Sequence, residues 1–182
     1  MIQIVGYDPS WPKVFQNEAT ALRGVLGQAA LAVHHVGSTA VLGMAAKPVI
    51  DIQVSVPSLK PIEPLRQALA QLGYTHVPLG PFDLVYPYFV TPSERPHTHH
   101  VHLCVYGSQQ EREHLAFRDY LRTHPEIAQR YVELKRKLAL ENHGNALESQ
   151  ERYSLSKTEF VEATVSRASA EGYPCRPHRN GA

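Results

Sequence analysis

Cysteine is scarce in this chain. There are two, Cys104 in an apolar run and Cys175 near the C-terminus. Two such isolated thiols make no disulfide framework, and a reducing, cytoplasmic setting is expected. No CxxC or Cys/His finger spacing occurs, which excludes the common structural zinc sites. An excess of one charge is also missing: 18 Lys+Arg face 17 Asp+Glu, for a formal net charge of +1. A bulk electrostatic grip on DNA or on an anionic membrane is therefore not expected. No stretch approaches the roughly 20 apolar residues of a membrane helix. Met1–Val5 lacks the basic-then-apolar pattern of a signal peptide.

What is present suits a globular chain. The hydrophobic fraction of 43% over 182 residues is enough for a sizeable core. One domain over residues 1–170 is expected, followed by a loose tail at 171–182. Met1–Val5 reads as a short extended piece. Ser10 and Pro12 mark the start of a helix over residues 11–26. Strands are predicted over 30–36 and 48–56, a helix over 59–72 ending at Gly73, and strands over 74–77, 83–90 and 98–106. Helices follow over 109–123, 126–142 and 149–168. Strands mostly first and helices mostly last predict an α+β fold with a mixed sheet, flanking helices and a helical C-terminal third. The run from Glu133 to Lys137 reads as a solvated face.

Two constellations carry chemistry. In the first, a strand ends in Gly37-Ser38 and the next strand carries Asp51. Glycine lets the backbone approach a phosphate, loop N–H groups can face its oxygens, and an aspartate on the neighbouring strand can hold a bridging divalent cation. The same residues also read as a turn with a strand-end Asp that caps a loop. Alternation puts Asp51, Gln53 and Ser55 on one face and Ile50, Ile52, Val54 and Val56 on the other. Lys47, just before this strand, is a candidate phosphate contact. Arg118 and Arg122 share a helix face and, with Lys157, are candidates for an anion pocket. The plainer reading of each is a solvated helix face paired with Glu111, Asp119 or Glu126.

The second constellation is a set of four histidines within six residues: His97, His99, His100 and His102. His100 and His102 point to one side of their strand and are candidate metal ligands, with His102 also a candidate acid–base group. His97 and His99 read as solvated loop-edge residues. A divalent ion is expected, magnesium or manganese first and zinc as a further option, while a set of Asp51, Gln53, His100 and His102 is softer than a magnesium site and suits manganese, iron or zinc better.

The wording of the first constellation is specific. The run from His35 through Gly37-Ser38-Thr39 and Lys47-Pro48-Val49-Ile50-Asp51 to Ile52 resembles the signature of the GrpB-like family. The resemblance continues at His114–Arg122, Tyr131–Lys137, Lys157 and Phe160. It implies a nucleotidyltransferase-like core in which Gly-Ser binds phosphates and strand acids bind metal. It also implies a nucleotide or phosphorylated small molecule as the partner. The pattern of that superfamily places two acids two residues apart. Here Asp51 fills the first position and Gln53 the second, so a binding module without catalysis stands beside nucleotidyl transfer as an expectation. A His/Asp metal-dependent hydrolase is a third. Some relatives of the family look fused to dephospho-CoA kinase, which adds coenzyme A-related ligands to the expectation.

Overall fold

The computed structural model describes residues 2–141 and 152–174. They fall into two compact units, Gln3–Glu111 and a second unit that runs from Arg112 onward together with the N-terminal residues. Each is taken by itself.

The first unit opens with a turn in which Asp8 Oδ1 accepts the Ser10 N–H at 2.8 Å. Helix α1, Trp11–Leu26, follows, with Pro12 in its first turn and no side-chain cap from Ser10. Proline suits this position because its missing N–H has no partner there anyway. Trp11, Ala19, Leu22 and Leu26 are the buried residues of α1. Five strands come next in the chain, β1 Ala32–Val36, β2 Ile50–Val56, β3 Thr75–Val77, β4 Tyr88–Thr91 and β5 His99–Val105, with helix α2, Glu63–Ala70, between β2 and β3. They form one mixed sheet in the order β1-β2-β5-β4-β3. β2 and β5 are parallel, and every other pair is antiparallel.

The strand period of two separates the sheet into an apolar face and a polar one. Ile50, Ile52, Val54 and Val56 join Val101 and Leu103 in a core with Leu22 and Leu26 of α1 and Leu65 and Leu69 of α2. Each such side chain, buried fully, contributes about 1.5–3 kcal/mol. The opposite face sets Asp51 level with His100, Gln53 with His102 and Ser55 with Cys104.

Several boundaries differ from the sequence reading. Val5, at the end of the expected extended piece, makes a single bridge to Ala46. β4 begins at Tyr88, because Gly80–Leu84 coils into a 3-10 turn. Asp83 holds that turn by accepting the Leu79 N–H at 3.1 Å and meeting His76 Nε2 at 3.3 Å.

The second unit is helical. α3, Gln109–Thr123, contains the boundary between the units, and α4, Pro125–Glu141, and α5, Thr158–Ala170, follow. Ala116, Tyr120 and Ala168 form one buried cluster in it, with Ile127 and Tyr173 against them. Tyr131 and Phe160 stack with centroids 5.1 Å apart. Lys135 departs from the solvated face expected for its run. It is 3% exposed, with Nζ 4.9 Å from the Tyr131 ring centroid. The expected helix end after residue 141, the start of the last helix at 149 and the tail beyond 174 lie outside the described residues.

Candidate functional site

Strand β1 stops at Gly37, whose φ of +69° and ψ of −170° suit glycine and almost nothing else. The 3-10 turn Ser38–Ala40 follows at once. Thr39 pins this turn. Its hydroxyl donates to the Val49 carbonyl at 3.4 Å and lies 2.9 Å from His35 Nε2. The His35 ring stacks on Phe15 of α1, with centroids 4.7 Å apart. The bend runs against β2: a β-carbon at Gly37 would collide with Asp51 Oδ2.

The other oxygen of that carboxylate meets the parallel strand. His100 Nδ1 lies 3.0 Å from Asp51 Oδ1. His97 Nδ1 lies 3.1 Å from His100 Nε2. An ionised carboxylate only accepts, so His100 carries its proton on Nδ1. Its Nε2 faces His97 Nδ1, so the far side of the ring is engaged as well. The result is a chain Asp51–His100–His97. Burial, helped by the Arg95 cation and by His100, pulls the His97 pKa down to about 4, so this ring is neutral near pH 7. His97 is thus a member of the site and not the solvated loop residue the sequence predicts.

Aromatic rings wall this face. His102 stacks on Tyr86 at 4.6 Å and on Tyr88 at 4.8 Å, and Tyr88 meets His100 edge-on at 5.2 Å. Burial, then the negative charge of Asp51, raises the Tyr88 hydroxyl above its ordinary pKa. Burial first, and then Cys104 and Asp51, do the same to Tyr86. Both phenols stay protonated. Alternation along β4 and the residues leading into it carried the signal for this pair, but placing Tyr86 in a strand obscured its partner.

Gln53 is fully buried. Its Oε1 accepts the Tyr86 hydroxyl at 3.0 Å and its Nε2 points at the Glu111 carbonyl at 3.5 Å. Next to it the Ser55 hydroxyl and the Gly107 N–H both donate to the Glu111 carboxylate, which is buried as well. No sequence signal flagged Glu111, because its partners come from a distant strand and a loop.

The four residues expected to hold a metal therefore share a face but not a common centre. Gln53 has committed its oxygen to Tyr86. Both nitrogens of His100 have partners. Among the described residues no group of three His, Cys, Asp or Glu side chains could hold a metal ion. As a protein-built metal cage the set does not fit. Lys47 is half-buried on the connection into β2, where its carbonyl accepts the Val49 N–H at 2.8 Å. The remaining candidate cations belong to the helical unit. Arg118 and Arg122 both lie on Asp119 Oδ1, at 2.7 and 3.5 Å. Lys157 Nζ sits 4.3 Å from the Tyr153 ring centroid.

The architecture defines an α+β protein with a mixed five-stranded sheet. The profile of the family described as "GrpB protein" matches residues 1–167, and the chain belongs to that family. The crystal structure of conserved protein GrpB from Enterococcus faecalis aligns with a TM-score of 0.79 at 35% identity, over 93% of this chain and 98% of that one. The chain is 33% identical over 162 residues to the glutamate-rich protein GrpB of Alkalihalophilus pseudofirmus, covering 87% of this chain and 91% of the relative. It is 34% identical over 167 residues to the UPF0157 protein YqkA of Bacillus subtilis, covering 92% of this chain but 47% of that relative's length. A protein named dephospho-CoA kinase in Mycolicibacterium paratuberculosis is 32% identical over 158 residues, which are 74% of this chain and 39% of that protein. No helix among the described residues is long and apolar enough to cross a membrane.

Proposed function

We propose that this GrpB-family protein binds a nucleotide or a related phosphorylated small molecule at the Gly37-Ser38 bend beside Asp51. One observation carries the reading: the glycine backbone lies so close to the Asp51 carboxylate that no side chain fits between them. A phosphate drawn into that bend meets a like charge, so a cation must accompany it. Asp51 fits a magnesium or manganese ion that arrives on the ligand's phosphates, since such ions take only one or two protein carboxylates. When bound, the ion would offset the charge of the phosphates against the carboxylate.

Binding is favoured over nucleotidyl transfer by Gln53. A second strand acid would have to replace a fully buried amide that satisfies Tyr86 and the Glu111 carbonyl. The Asp51–His100–His97 chain supports transfer as a second reading, because an oriented imidazole pair can take a proton from an attacking hydroxyl. The relative named dephospho-CoA kinase makes coenzyme A precursors the first ligands to try.

The test is a thermal-shift and calorimetric screen of nucleoside phosphates and coenzyme A precursors, each with magnesium, with manganese and with chelator. Saturable binding that raises the melting temperature in the wild type and vanishes in Asp51→Asn is the expected result. Binding undiminished in Asp51→Asn, or no binding by any of these compounds, would refute the proposal. Nucleotidyl product after prolonged incubation would decide for the second reading.

A further inference from the structure

The helical unit holds a groove of about 130 Å³ that the sheet site does not use. Arg130 of α4 and Arg167 of α5 flank it, and Tyr120, Ile127 and Phe160 line it. Among the described residues neither guanidinium has a carboxylate partner. Arg167 approaches the Tyr120 hydroxyl. That hydroxyl donates to Glu171 Oε1 at 3.1 Å, so its oxygen is free to accept only. The other hydroxyl of the groove, Thr164, is turned inward on the Phe160 carbonyl at 2.7 Å. Arg167 thus keeps donors beyond the one it directs at Tyr120, and with Arg130 it gives the groove two guanidinium forks without a carboxylate among the described residues.

We propose that this groove is a subsite for the phosphate group of a small organic phosphate. Charge selects phosphate over carboxylate: a phosphate dianion balances two guanidinium ions, whereas a carboxylate balances one. The planar forks of arginine match phosphate oxygens in pairs. The aromatic and aliphatic lining selects an organic phosphate over the free ion, because a bare phosphate leaves Phe160 and Ile127 wet. The proposal does not depend on the ligand assigned to the sheet unit.

The experiment titrates the full chain with phenyl phosphate and with inorganic phosphate against chloride at matched ionic strength. Binding is read by calorimetry and by the NMR signals of the arginine side chains. Saturable binding is expected, tighter for phenyl phosphate, with the Arg130 and Arg167 Nε–H signals moving most. Arg130→Ala and Arg167→Ala are each expected to weaken it by about tenfold or more. Both side chains are exposed, so the variants should keep the wild-type melting temperature. Arg136→Ala, another exposed arginine of α4, is expected to bind as the wild type does. Asp51→Asn is expected to keep this binding. Three results would overturn the proposal: a shift that never saturates, a double arginine variant that binds like the wild type, or binding lost in Asp51→Asn alone.

Discussion

Gly37 and Asp51 occupy one another's space: the carboxylate of Asp51 fills the position that a side chain at Gly37 would need. Two constraints thereby fall on one residue. The backbone there is in a region that other residues enter only under strain, and the neighbouring strand forbids even a methyl group.

Gly37→Ala is accordingly expected to destabilise the protein by about 1–3 kcal/mol and to displace the Asp51 carboxylate. Urea unfolding checks the first effect, and loss of the His100 Nδ1–H signal checks the second. A variant with wild-type stability would show that the bend is not held by its surroundings.

Asp51→Asn keeps the shape but replaces an acceptor-only carboxylate with an amide that can accept from His100 Nδ1–H or donate to a bare Nδ1. The two His100 tautomers should then become mixed, as read by the nitrogen shifts of the imidazole. The fold should survive, because Asp51 is partly exposed and not part of the apolar core. An unchanged tautomer would mean that another group orients the ring.

Gln53→Leu tests the buried amide. It leaves the Tyr86 hydroxyl and the Glu111 carbonyl without their partner, at a cost of about 2–4 kcal/mol in total. Gln53→Glu should cost at least as much, since it buries an unpaired carboxylate beside Glu111 and removes the amide donor. Chemical denaturation ranks them. A leucine variant as stable as the wild type would show that these hydrogen bonds do not hold the site together.

Acid should loosen the site in a defined window. Burial, the Arg95 cation and His100 hold the pKa of His97 at about 4, against an ordinary 6.5. Burial also lowers that of His99, with Glu18 opposing. Between these limits the unfolded chain takes up protons that the folded chain refuses, so the contribution is complete above pH 6.5 and is lost as pH falls toward 4. Because His97 is partly exposed, screening keeps its share to about 1 kcal/mol or less. The fall in melting temperature from pH 7 to 4.5 should be shallower in His97→Gln than in the wild type. Equal slopes would contradict the assignment.

Much of the frame was legible without coordinates. The alternating run of β2 separates Asp51, Gln53 and Ser55 from the apolar core by its period alone, and α3 ends where the His124-Pro125 break puts it. These features are local, and local backbone rules suffice for them. The misreadings came where distant contacts override local preference. Asp83 reads as part of a strand until His76 and the Leu79 amide hold it in a 3-10 turn. Lys135 reads as solvated until an aromatic ring receives it.

The chain by itself settled the family, the α+β class, and which side chains leave the core side of the central strands. Only tertiary structure decided what those side chains do to one another. Register set Asp51 beside His100, a loop brought His97 to the far nitrogen of that ring, and Tyr86 claimed the oxygen of Gln53. The reason is physical: periodicity acts over a few residues, whereas hydrogen-bond partners here lie up to 58 residues apart and depend on how strands are ordered in the sheet.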